Sequence, residues 1–195
     1  MTQSRLVALF LLVALFLLAA LPAQAAQFGI GQLMDALANN KHGAASFSEK
    51  KYISILDEPV ESSGELLFVP PNRLEKRTLK PRQESLVLDG DVLSVERGRQ
   101  KHVLQLKKYP EIAGMIESIR ATLAGDRKAL ERVYHLTLTG GGERWTLVLI
   151  PLDAKVGGVV ARIRMDGARD EVRTMEILLA DGDRAVMTIR KIATP

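Results

Sequence analysis

The chain has 195 residues, with 27 Lys or Arg against 23 Asp or Glu and no cysteine. The missing cysteine excludes a disulfide framework, a thiol nucleophile and a lipid-modified N-terminal Cys. The formal net charge is +4. It is scattered, without the basic block that tracks phosphates, so a nucleic-acid partner is excluded and a mixed-charge surface is expected.

The first residues read as an export signal. Arg5 is followed by an apolar run from Leu6 to Leu21, and Pro22 breaks it. Ala23-Gln24-Ala25 gives the small-x-small pattern of a cleavage site, placing cleavage near Ala25. The run falls short of the roughly 20 apolar residues of a spanning helix. Residues 1–25 are therefore expected to be a signal peptide and 26–195 a single domain, long enough for a real core. An uncleaved segment would instead tether the domain to a membrane.

The mature chain opens with a short amphipathic helix. Ile30, Leu33, Met34 and Leu37 recur at helical spacing before Asn39-Asn40 and Gly43. Strand patterns follow over 45–56, 64–68, 74–79, 85–88, 92–95 and 102–106, with Pro70-Pro71-Asn72 stopping the second. Asp89-Gly90 marks a tight hairpin. At Tyr109-Pro110-Glu111 the period becomes 3.6: Ile112, Met115, Ile116, Ile119 and Leu123 give a helix one apolar face. Pro110 suits its first turn, Gly125 ends it, and Asp126 caps a short second helix. Strands resume over 134–139, 144–150, 159–166, 172–179 and 185–192, with Gly140-Gly141-Gly142 as a turn. About ten strands without βαβ alternation predict a mainly β fold with helices (α+β), an antiparallel sheet that curls strongly or closes as a barrel.

Catalytic chemistry is hard to find. There is no Gly-x-Ser-x-Gly elbow. His42, His102 and His135 are isolated and form no helical metal-ligand pair, so no metal is expected. Gly29-Ile30-Gly31 follows no strand and lacks the third glycine of a dinucleotide fingerprint. Glu84, Asp89 and Asp91 cluster at a hairpin, where Asp is favoured for backbone reasons. The reading is a non-enzyme without cofactor.

What remains is apolar surface. The inward candidates are Leu66, Phe68, Leu86, Leu88, Leu93, Val95 and Leu104 from the first strands. From the later ones come Leu136, Leu138, Trp145, Leu147, Leu149, Ile163, Met165, Ile177, Met187 and Ile189. Leu106, Met175 and Leu179 belong to the same inward set. Singly, each is explained as core. Together they line one concave face that two short helices cover incompletely, and a Leu, Ile, Val and Met lining suits flexible acyl chains.

The order of motifs resembles a known family. Ala45-Ser46-Phe47-Ser48-Glu49 precedes Gly64-Glu65-Leu66-Leu67-Phe68-Val69-Pro70-Pro71-Asn72. The Leu86-Val87-Leu88-Asp89-Gly90-Asp91-Val92-Leu93 hairpin follows, then a helical insert and Trp145-Thr146-Leu147-Val148-Leu149-Ile150-Pro151. This resembles the LolA-like family of periplasmic outer-membrane lipoprotein carriers, over nearly the whole mature chain. The chain departs from the carriers at Pro70, where they place an Arg, and at Lys76, near a Trp position.

The resemblance implies a strongly curved, unclosed antiparallel β-barrel with a helical lid over a hydrophobic cavity. The lid falls on 110–124, with Ile112, Met115, Ile116, Ile119 and Leu123 facing inward. The inward set other than Leu106, Met175 and Leu179 would line the cavity. The implied function is a monomeric periplasmic carrier of an acylated lipoprotein or other lipid from the inner towards the outer membrane. An inner-membrane complex would be donor and an outer-membrane receptor acceptor. The alternative is a lipoprotein- or lipid-sensing interaction module of the same fold, without transport.

Overall fold

A computed structural model describes residues 28–39 and 43–192. The expected signal segment, its cleavage near Ala25, and the positions Asn40 and His42 lie outside the described residues. Helix α1 (Ile30–Ala38) leads into strands β1 (Gly43–Tyr52), β2 (Val60–Val69), β3 (Arg73–Lys80), β4 (Glu84–Asp89), β5 (Val92–Arg97) and β6 (Gln100–Gln105). A 3₁₀ turn (Leu106–Lys108) then gives way to helices α2 (Pro110–Ala124) and α3 (Arg127–Val133). Strands β7 (Tyr134–Gly141) and β8 (Arg144–Pro151), helix α4 (Ala154–Gly157), and strands β9 (Val160–Ala168), β10 (Glu171–Leu179) and β11 (Arg184–Lys191) complete the chain.

All eleven strands join one antiparallel sheet in the order β6-β5-β4-β3-β2-β1-β11-β10-β9-β8-β7. Strand β1 is its centre, pairing with β2 on one side and β11 on the other. The edges β6 and β7 do not pair, so the barrel is unclosed, and the helical segment α2–α3 spans the gap between them. The fold is thus mainly β, a curved unclosed sheet with a helical lid. Each of the eleven strands among the described residues falls on one of the strand patterns read from the sequence. The short helix α4 was not expected, and Leu106 leaves the sixth strand for the 3₁₀ turn, its N–H bonding to Asp91 O at 2.9 Å. Strand β1 stops at Tyr52; Ile55, expected in it, is 87% exposed.

Local chemistry explains the helix ends. Gln32 Oε1 accepts from the Gly29 N–H at 2.8 Å, half of a capping box at the start of α1. Helix α2 starts on Pro110 and ends in a Schellman motif. Gly125 takes φ +68°, the Asp126 N–H bonds to Ala121 O at 2.8 Å, and the Gly125 N–H bonds to Thr122 O at 3.1 Å. Asp126 Oδ1 then caps α3 through the Ala129 N–H at 2.9 Å. Gly125 has no room for a side chain: a Cβ would lie 2.2 Å from Met34 O, which sets α1 tightly against the end of α2. In the β4–β5 hairpin, Asp89 pairs with Val92, so the turn itself is Gly90-Asp91, with Gly90 at φ +56°.

Two apolar clusters divide the concave face. The larger joins Leu33, Met34 and Leu37 of α1 and Leu130 of α3 to Tyr134, Trp145, Leu147, Leu149, Ile163 and Met165. It fills the β7–β9 end of the curve. The smaller joins Leu88, Leu93 and Leu106, with Ile112, Ala113 and Ile116 packed on them. It sits at the β4–β6 end. Helix α2 therefore bridges both ends of the sheet. Burial raises the pKa of the Tyr134 phenol inside the larger cluster, partly offset by the Ser118 hydroxyl.

The convex face is polar. Arg162 and Arg184 both reach Glu176 (3.0 and 3.6 Å), and Arg164 reaches Asp166 (2.9 Å). Desolvation pushes the Asp166 carboxyl up. The hydrogen bonds from Arg164 and Thr146 and the charges of Arg164 and Arg144 outweigh it and hold the carboxyl below its usual range. Surface pairs of this kind add at most about 1 kcal/mol each.

Candidate functional site

Between the two clusters the concave face is not filled. A cavity of about 940 Å³ lies over the central strands and under α2, at the upper end of the roughly 300–1,000 Å³ typical of ligand sites. Its walls come from β1–β5 and β9–β11, with Leu37 of α1 at one side. Cross-strand register shows why the floor is largely apolar. Ile189, Phe47 and Gly64 lie opposite one another across β11, β1 and β2, as do Ala45, Leu66, Lys76 and Leu86 across β1–β4. Strand alternation aims these side chains to one face.

The lid is built asymmetrically. Its most buried residues are small: Gly114, Ser118, Ala121 and Thr122. A Cβ on Gly114 would lie 2.8 Å from Val156 Cγ2, so α2 packs directly on α4 there. The Ser118 and Thr122 hydroxyls bond back to Met115 O (2.6 Å) and Ser118 O (2.7 Å), which satisfies them within the helix. The large residues Ile112, Met115, Ile116, Ile119 and Leu123 all line the cavity and stay only half-buried. Close packing is spent on the small-residue side, and the bulky stripe is left facing open space.

Arg120 ties the lid down. Its guanidinium donates to Gly90 O in the β4–β5 turn at 3.2 Å and pairs with Glu117. Arg120→Met removes this tether while keeping an apolar stem. Amide exchange within α2 is then expected to speed up several-fold relative to β8, read by hydrogen-exchange mass spectrometry. Equal protection in both proteins would show that Arg120 does not hold the helix.

The structure sorts the sequence-derived residues into two groups. Leu66, Phe68, Leu86, Leu88, Leu93, Met165, Ile177, Met187 and Ile189 line the cavity together with the five lid residues. Leu136, Leu138, Trp145, Leu147, Leu149 and Ile163 do not; they pack in the larger cluster, because α1 and α3 already cover that end of the sheet. Val95 and Leu104 pack on the smaller cluster. Met175, from the wider inward set, is part of the lining, and Leu37, Leu74 and Val172 join it unforeseen.

The charged residues of the wall were also missed, Glu49 and Lys76 among them. Glu49 is 6% exposed, and its Oε2 accepts from Lys76 Nζ at 2.7 Å and from Ser62 Oγ at 3.2 Å. Lys76 Nζ also stands 4.8 Å from the centre of the Phe47 ring. Both occupy inward positions of an alternating strand, Phe47-x-Glu49 and Leu74-x-Lys76, and that alternation was the available signal. Among the described residues no cluster of His, Asp or Glu is arranged to hold a metal.

The chain is similar to several known proteins. A curated outer-membrane lipoprotein carrier protein from Dechloromonas aromatica (strain RCB) is 26% identical over 173 residues, covering 88% of this chain and 80% of its own. Among solved structures, a LolA superfamily protein from Nitrosomonas europaea is similar at 11% identity and a TM-score of 0.43, covering 84% of this chain and 93% of its own. Lipoprotein LppX of Mycobacterium tuberculosis is similar at 11% identity and a TM-score of 0.44, covering 83% and 92%. The family model described as "Outer membrane lipoprotein carrier protein LolA-like" matches residues 22–193. With the unclosed sheet, its helical lid and the apolar cavity between them, the chain belongs to the LolA-like outer membrane lipoprotein carrier family.

Proposed function

We propose that this protein is a monomeric periplasmic carrier that binds the acyl chains of a lipoprotein or other lipid and moves them from the inner towards the outer membrane. In this reading residues 1–25 direct export and are removed near Ala25, and 26–195 form the working domain. An inner-membrane complex supplies the cargo and an outer-membrane receptor takes it. The observation that carries the reading is the half-buried stripe of α2, five large apolar side chains that touch the two clusters at their edges and otherwise face the cavity over a largely apolar floor.

The physics is reversible burial. Each methylene moved from water into the cavity contributes about 0.8 kcal/mol, so affinity grows with chain length. Leu, Ile and Met side chains adapt to a flexible chain without demanding one shape. Release requires only that the lid separate from the sheet, because no covalent bond to the cargo is made.

The test is native mass spectrometry of protein purified from its own periplasm, with displacement of a fluorescent acyl probe. The expected result is a co-purifying lipid and a displacement midpoint that falls as the competitor chain lengthens. Protein free of lipid that also gives no displacement signal would overturn the carrier reading.

A further inference from the structure

We infer that the Glu49–Lys76 pair is a polar anchor in the cavity wall, one that receives the neutral carbonyl oxygen of an acyl ester and disfavours a free carboxylate. This rests on the carrier reading and deepens it by naming the chemical class of cargo.

The pair is out of place for a purely apolar container. Lys76 lies directly opposite Leu66 and Leu86 in the sheet, and Glu49 directly opposite Met187; all five line the cavity. A charge in such surroundings is costly unless paired and hydrogen-bonded. The pairing here is close, with Ser62 as a further donor to the carboxylate. An ammonium carries three N–H donors. One goes to Glu49, and the 23% exposure of the Lys76 side chain leaves it in reach of a bound molecule.

The charge balance selects the ligand group. Glu49 and Lys76 are neutral together, so a neutral acceptor can take a charge-assisted hydrogen bond from Lys76 without adding net charge. A second carboxylate at Lys76 would sit beside Glu49, and like charges at that range repel. Lys51 approaches Glu49 at 3.7 Å, but its side chain is 51% exposed and its charge is screened by solvent. Glu75, which also borders the cavity, is engaged by Arg73 (3.6 Å) and Arg77 (3.1 Å). The carbonyl at the head of an esterified acyl chain fits this wall, with its hydrocarbon continuing under α2.

The test is competition of methyl dodecanoate, dodecanoate and a chain-matched alkane against a fluorescent acyl probe. In the wild-type protein the ester is expected to displace at about tenfold lower concentration than either rival, the size of one charge-assisted hydrogen bond. Glu49→Gln leaves Lys76 uncompensated and should reverse the preference towards dodecanoate. Lys76→Met should bring the ester-to-alkane ratio near one. If it misfolds because Glu49 is left unpaired, the neutral double variant Glu49→Gln/Lys76→Met carries the same expectation. Equal displacement by ester and alkane in the wild type, or tighter binding of dodecanoate there, overturns the anchor and leaves the carrier reading standing. Failure of all three compounds to displace the probe overturns the carrier reading and the anchor with it.

Discussion

Ile116→Glu is expected to weaken binding of an acyl probe about a hundredfold while the protein stays folded. Burial of an isoleucine side chain against cargo contributes about 1.5–3 kcal/mol, and a carboxylate in its place adds a desolvation penalty. Together these exceed the 2.7 kcal/mol of two decades in affinity. The fold survives because Ile116 is only half-buried in the cavity-facing stripe of α2. Its contacts with the Leu88, Leu93 and Leu106 cluster are shared with Ile112 and Ala113. Probe titration and a thermal melt on the same sample separate the two effects. Ile116→Met, which conserves volume, should keep affinity within a few-fold. Unchanged affinity in a folded Ile116→Glu protein would show that α2 does not cover the binding site.

Trp145→Ala is expected to have the largest effect on stability, about 3–5 kcal/mol. The indole is 1% exposed, and its Nε1–H donates to Arg169 O at 3.0 Å. It lies over Gly167 on the neighbouring strand so closely that a Cβ there would be 2.2 Å from Trp145 Cζ2. Removing the ring leaves a cavity that neither backbone can close, and orphans the Arg169 carbonyl. Met175→Ala, at a residue that borders the cavity, should cost clearly less, because it enlarges a space that already exists. Denaturant midpoints with unchanged slopes measure both. A Trp145→Ala cost below about 1 kcal/mol would contradict the placement of this residue in the main core.

This contrast shows where sequence reading succeeds. Strand alternation marked Leu138, Leu147, Met165 and Met187 as facing one way, and the register confirms that they share a face: Leu138, Leu147, Met165, Met175 and Met187 are opposite one another across β7–β11. The 3.6 period of α2, with Pro110 and Gly125 at its ends, is local chemistry and was equally legible. Which part of the inner face is covered is a different question. It depends on where α1, ahead of the first strand, and α2 and α3, in the crossover from β6 to β7, come to lie, a matter of contacts far apart in sequence. Alternation therefore could not separate Leu149, under the helices, from Ile189, beside the cavity. Glu49 and Lys76 escaped for another reason. Charged residues on a strand are usually solvated, and only the pairing of β1 through β2 to β3 brings these two together.

The unpaired edges β6 and β7 carry a mechanical consequence. A closed barrel has its bore set by strand number and shear, since every ladder must stay in register around the ring. Here the ring is broken, and α2 and α3 span the break. The two arms of the sheet can spread or draw together by changing twist at the central strands, without giving up a ladder hydrogen bond. The bore is thus compliant rather than fixed, its size governed by how far the helix that rests on both arms is lifted by whatever lies beneath it.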